Sequence, residues 1–250
     1  MRSSAVEPQP AETVLLGLTP GTRLRVLSRD ATDGALTAIW EIPAGWAHEA
    51  PYTLAGGEAL YVLDGEWING DHRYARGHYA YRAGGTSQGP VKSACGARLL
   101  MMWDAAPQLQ APGAVPIEPQ PSLLWVDGNA VDEHPTPVAG PPAGITVRIL
   151  RRDAASGGMT MIVNIPPGWE ESRAEHHDCV EESFKLSGDI WMVENHRPQV
   201  LRAGDYFFRP PRIKHGPMRT AGGTSSLIRF SATVVNHYGP VEPAHGPDLR

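Results

Sequence analysis

The side chains best equipped for chemistry lie in two stretches of the second half of the chain, AEHHDCVEESFKLSG (Ala174–Gly188) and AGDYFFRPPRIKHGP (Ala203–Pro217). They bring Glu175, His176, His177, Glu181 and His215, residue types that ligate divalent transition metals. On an extended strand, side chains two apart share a face, so Glu175 and His177 look to one side and His176 to the other. Glu181 opens the next apolar run, and His215 comes from a distant segment that must close alongside. Two neutral imidazoles with one or two carboxylates suit Fe, Mn, Ni, Co or Zn, and three or four protein donors leave positions for water, dioxygen or substrate. Singly, each residue has an ordinary structural use: His before Gly-Pro as a turn cap, Glu-Glu as a solvated strand edge. Their joint occurrence points to a metal.

The elements that position them are strands. Apolar runs of four to eight residues such as LTAIWEI, ALYVL, MTMIVNI and DYFF are bounded by DG, PAG, PPG, NG and SGD turns, and no stretch keeps a helical period for three turns. The chain is also duplicated. RVLSRDATDGALTAIWEIPAGW (Arg25–Trp46) lies over RILRRDAASGGMTMIVNIPPGW (Arg148–Trp169) with about half the positions identical. Glu58 then falls on Glu181 and Gly65 on Gly188. After a four-residue difference in a turn, Gly77 pairs with Gly204, Gly89 with Gly216 and Pro90 with Pro217. The repeat has the size of a whole small domain.

In these stretches the chain resembles the cupin superfamily. The second cupin motif, G, five residues, PxG, two residues, H, is matched by Gly204, Pro210 and His215, with Arg212 where the glycine usually stands. The first, G, five residues, HxH, three or four residues, E, six residues, G, is matched by His177, Glu181 and Gly188, but its first histidine falls on Glu175. The resemblance implies an all-β bicupin, two tandem double-stranded β-helix (jelly-roll) barrels. It expects an N-terminal arm over 1–20, a degenerate first barrel over 21–106, a Pro-rich crossover over 107–140, a metal-binding second barrel over 141–237 and a tail over 238–250. The implied ligands are His177, Glu181 and His215, joined by Glu175 or by His176 if a bulge shifts the strand. Glu175 is alternatively a general base, and a carboxylate there favours a harder ion than Zn. In the first repeat His215 becomes Gln88 and His177 becomes Leu54, so that barrel is expected to be metal-free, with His48, His72 and His78 structural.

The pattern PPGW followed by the acidic stretch and Glu-Glu is similar to ChrR-type cupins and to acetylacetone-type dioxygenases. That implies a cytoplasmic oxidoreductase, a non-haem Fe(II) dioxygenase cleaving carbon–carbon bonds of a small enolisable ketone, diketone or phenolic compound. Two alternatives stand beside it: a Zn, Mn or Ni cupin doing isomerase, lyase or hydrolase chemistry without dioxygen, and a non-catalytic small-molecule sensor. Lys185, Arg209 and Arg229 are candidates for holding a carboxylate or phenolate. Cys179 is expected to be a buried packing residue.

Composition agrees with a small-molecule protein. The net charge of −5 is spread along the chain, which argues against nucleic acid and anionic membrane as partners. Two cysteines, Cys95 and Cys179, favour a reducing compartment, and the N-terminal apolar run is too short for a signal peptide. A homodimer is expected, the degenerate barrel offering an interface.

Overall fold

The computed structural model describes residues 5–11, 14, 20–109, 123–194 and 196–240. Every named element is a strand, and every strand pairing is antiparallel, as the alternating runs and short turns predict. Contacts divide the chain into two units, Ala5–Ala130 and Val131 onward. Among the described residues no helix is long and apolar enough to cross a membrane.

In the second unit the strand Glu181–Glu194 is the axis of an 11-stranded sheet. Its first half pairs with Thr224–Phe230 and Tyr206–Arg209, its second half with Arg197–Arg202 and His215–Arg219. One strand therefore serves both faces of the curled sheet. The changeover follows a register shift between Lys185 and Ser187 and passes through Gly188 at φ 69°. A Cβ on Gly188 would lie 2.1 Å from the Gly223 carbonyl oxygen, so the motif glycine is required by close backbone approach as well as by φ. Gly65 in the first unit has φ 74° and the same 2.1 Å approach to Gly96.

The duplicated registers coincide. Glu58, Leu60 and Val62 face Trp103, Met101 and Leu99, and Glu181, Ser183 and Lys185 face Phe230, Ile228 and Ser226. Their interiors differ. Trp40, Trp46 and Trp67 pack ring against ring at 5.1 to 6.0 Å in the first unit, within one apolar cluster that also holds Tyr74. At the positions of Trp40, Trp67 and Tyr74 the second repeat has Val163, Ile190 and Leu201. Smaller side chains leave space, and the second unit has a cavity of about 120 Å³ lined by Val163, Trp169 and Ile190, the counterparts of the three packed tryptophans.

The segment expected as a crossover, 107–140, contributes strands to both units. Leu123–Asp127 pairs with His78–Arg82, and His134–Pro135 with Thr146–Val147, because apolar LLWV satisfies its backbone on an open sheet edge. Residues 110–122 of that segment lie outside the described residues. The expected tail begins inside a strand, Asn236–Gly239, that pairs with Ala174–His177, and 241–250 are outside the described residues. In the expected arm, Gln9–Pro10 pairs with Leu24 and Arg23.

Candidate metal centre

Glu175 and His177 sit on the short strand Ala174–His177, Glu181 begins the axial strand, and His215 begins the strand His215–Arg219. Glu175 is directly opposite His215 in the ladder. The alternation expected from the sequence places Glu175 and His177 in the cavity wall with Glu181 and His215, all four buried. Donor atoms of Glu175, His177 and His215 lie within 4.8 Å of one another. His177 Nε2 is 3.5 Å from Glu181 Oε2, and His215 Nε2 is 3.4 Å from Glu175 Oε1 and 3.9 Å from Glu181 Oε2.

His176 is on the other face. It stacks on His237 with ring centroids 5.0 Å apart and belongs with Asp178 and His237 to an outer cluster, in which Asp178 already accepts from Arg212 and contacts His237 at 2.8 Å. No bulge shifts the strand: Ala174 to His177 pair in unbroken register with Gly239 to Asn236.

The Ile213 carbonyl orients His215. Its Nδ1 lies 3.2 Å from the Ile213 carbonyl, which can only accept, so Nδ1 carries a hydrogen and Nε2 is the nitrogen that faces the two carboxylates. Between two carboxylate oxygens, Nε2 is placed where a cation shared by all three groups would sit. His177 Nδ1 is buried without a partner among the described residues. The donor set and its geometry thus fit a divalent ion. The His215 loop is tied back to the opposite strand by Arg212, whose amide donates to the His177 carbonyl at 2.7 Å. Arg212 has φ 68°, which explains why glycine is usual there.

Arg209 organises the acidic side of the site. Its Nη1 donates to Glu181 Oε2 at 2.8 Å and its Nε donates to Glu194. The guanidinium also lies 3.7 Å over the Phe207 ring. Burial alone would raise the Glu181 pKa, but Arg209, then His177 and His215, outweigh it and hold the carboxyl far below the usual range. For His177 burial lowers the pKa, yet the adjoining Glu181 and Glu175 carboxylates leave it raised. Burial pushes Lys185 down to about 8. Tyr238, opposite Glu175 in the ladder, accepts from Asn236 at 2.8 Å, and burial beside Glu175 raises its phenol well above the ordinary value.

Of the three expected anion-holding cations, Lys185 and Arg209 line the cavity, while Arg229 pairs with Glu182 on the other side of its strand at 3.9 Å. Cys179 packs with Met159, Met161 and Phe230, and its thiol is pushed up by burial. Glu194, Ser183 and Tyr238 were not legible as site residues. Glu194 and Tyr238 belong to segments without a motif, whereas the repeat alignment contained the signal for Ser183, since Leu60 is its counterpart.

In the first unit Glu58 accepts from Trp103 Nε1 at 3.0 Å, Arg82 Nη1 is 3.8 Å away, and Gln88 also reaches the carboxylate. Gln88 in turn accepts from Asn69 at 3.0 Å and from Tyr52 at 3.3 Å. Internal donors fill the place that His177 and His215 occupy in the other repeat. His78 contacts Asp127 and Trp125, His72 stacks on Tyr74, and His48 packs on Tyr52, so none joins Glu58.

Residues 127–233 match the ChrR cupin-like domain family. A Nostoc punctiforme protein described as a candidate dioxygenase has the same fold over 97% of this chain and 86% of its own, with a TM-score of 0.75 and 16% identity. The chain has the bicupin fold. An oxalate decarboxylase of Bacillus subtilis, in a single-site variant form, superposes with a TM-score of 0.59 at 13% identity over 95% of the bicupin and 78% of the decarboxylase. In sequence, 103 residues are 33% identical to the 3-hydroxyanthranilate 3,4-dioxygenase of Shewanella woodyi. That stretch is 39% of the bicupin and spans half of the enzyme's length (50%).

Proposed function

We propose that this bicupin is a metal-dependent dioxygenase, its ion held by His177, Glu181, His215 and Glu175, acting on a small enolisable ketone, diketone or phenolic compound. The observation that carries the reading is His215: Nδ1 is committed to Ile213 and Nε2 faces two carboxylates, an arrangement suited to a divalent cation. The dioxygenase named for the Shewanella relative supports the reaction class. Fe(II) is the ion expected, because two imidazoles and two carboxylates suit it and dioxygen chemistry requires a redox-active metal. When bound, the ion would draw enolate and dioxygen together and make the substrate more acidic.

The chain's own residues do the rest. Glu175, buried beside His215, takes the substrate's acidic proton, whether or not it also touches the ion. Arg209 fixes Glu181 through Oε2, the same oxygen that lies nearest His177 and His215. Met161, Val163, Ile228 and Phe230 keep water out. An apolar cavity of about 150 Å³ admits benzene, so one of about 120 Å³ favours a single small ring or a short chain. Both atoms of dioxygen enter the two carbonyl products of the broken carbon–carbon bond, and no external reductant is consumed.

The test is an oxygen electrode with protein loaded anaerobically with Fe(II). Uptake of one dioxygen per molecule of a β-diketone, hydroxyketone or catechol-type phenol is expected. No uptake across that panel, with Fe bound, overturns the reading.

A further inference from the structure

The metal-ligand residues account for only part of the second unit's cavity. Lys185, Ser183 and Ser226 also bear on it. Ser183 and Lys185 are in its wall, and Lys185 Nζ donates to Ser226 Oγ at 2.9 Å. Lys185 is 5% exposed, and that serine is the one hydrogen-bond partner of its ammonium among the described residues. No carboxylate lies within ion-pair distance of it among the described residues. Ser183 is 1% exposed and its hydroxyl has no partner among the described residues. A buried ammonium met by a single neutral hydroxyl, beside a buried hydroxyl with no partner among the described residues, is costly on general grounds, so a pair of this kind asks for a ligand.

The fold does not demand these residues. The duplicated register provides the comparison: Ser183, Lys185 and Ser226 stand where the first unit has Leu60, Val62 and Leu99, all fully buried in its apolar cluster. The same strands therefore close around three aliphatic side chains in one repeat and three polar ones in the other. The polar set appears in the repeat that has the ligand cluster, and its counterparts in the tryptophan-packed repeat are aliphatic.

Charge points to the kind of ligand. Glu175, Glu181 and Glu194 bring three negative charges, Arg209 and Lys185 two positive ones, and Glu171 is neutralised by Arg173. With a divalent ion bound the site carries one positive charge in excess. A neutral occupant would leave that charge buried, whereas a monoanion cancels it.

We propose that Lys185, Ser183 and Ser226 form an anion subsite, recognising a carboxylate or equivalent oxyanion on the small molecule whose reacting end meets Glu175, His177, Glu181 and His215. This deepens the dioxygenase reading and rests on it for the second end of the ligand. The substrate is thus an acid rather than a neutral diketone. Arg209 is not the anion's partner, since Glu181 and Glu194 already occupy it.

Salicylate and its neutral counterpart salicylamide are suitable probes, titrated by calorimetry into wild type, Lys185→Met and Ser183→Ala, with metal content measured on the same samples. The Met variant is expected to keep the wild-type metal content, to lose at least tenfold in salicylate affinity, and to bind salicylamide within twofold of wild type. Ser183→Ala should weaken salicylate by a smaller factor. Equal salicylate affinity in wild type and Lys185→Met, including no binding to either, overturns the subsite. If Lys185→Met fails to fold, Lys185→Gln, which keeps a donor for Ser226 without the charge, makes the same comparison. Absence of metal from the protein as isolated would strike the dioxygenase reading alone, because the salicylate comparison can be made on protein loaded with Zn(II), which supplies the divalent charge without dioxygen chemistry.

Discussion

Arg209 and Glu181 face each other across neighbouring strands, Nη1 donating to Oε2 at 2.8 Å, and the duplicated pair Arg82 and Glu58 stands at the same register with 3.8 Å between its charged atoms. One ancestral ion pair has had two fates. In the second unit it holds a carboxylate toward imidazoles, and in the first it is sealed by Trp103, Gln88 and Tyr74.

Removing the guanidinium from the second pair should be costly in the absence of metal. Arg209→Met leaves the buried Glu181 without its cation and the half-buried Glu194 with Gln199 alone, a loss of about 3 kcal/mol. In a chelator the melting transition should fall by roughly 10 °C, at a few degrees per kcal/mol. An unchanged transition would mean that Arg209 does not anchor the site.

The first pair should matter to stability only. Glu58→Gln keeps the shape but leaves Arg82 as an uncompensated buried cation, expected to cost about 3 to 4 kcal/mol in denaturant unfolding. Metal content per chain should stay at the wild-type value. A fall in metal content would show that the first unit contributes a site of its own.

Lys185 gives a pH dependence of definite sign. Burial depresses its pKa in the folded, metal-free protein to about 8, while the unfolded chain titrates near the ordinary lysine value. Between those values the unfolded state binds more protons, so this residue's contribution makes stability rise with pH. The penalty, on the order of 3 kcal/mol, is fully present below pH 8 and relieved as the pH climbs towards 10. Lys185→Met removes it. The variant should therefore be more stable than wild type at pH 7, with the gap closing by pH 10, as read from urea midpoints at both values. A gap independent of pH would contradict the buried cation.

Much of this architecture was legible from residue order. The repeat, the strand-length apolar runs and the two spaced motifs lead to two antiparallel barrels, and period-two alternation separates Glu175 and His177 from His176 before any coordinates. What was not legible depends on register across strands. That Arg229 turns to Glu182 while Arg209 turns to Glu181 follows from a pairing set by the whole sheet. The cavity follows from Val163, Ile190 and Leu201 replacing Trp40, Trp67 and Tyr74, a difference visible in the aligned repeats but meaningful only once those positions are known to share one interior. The strand Leu123–Asp127 was hidden by the prolines around it, since its hydrogen bonds go to a distant partner, His78–Arg82.

On the proposed reading Glu175, His177, Glu181 and His215 hold one ion. Elemental analysis of native protein beside His215→Ala tests it most directly, with thermal melting of both to show that the variant is folded. The prediction is about one equivalent of a divalent transition metal, chiefly iron, in wild type and a small fraction of that in the variant. Wild type without metal, or a folded His215→Ala variant retaining the full equivalent, would contradict it.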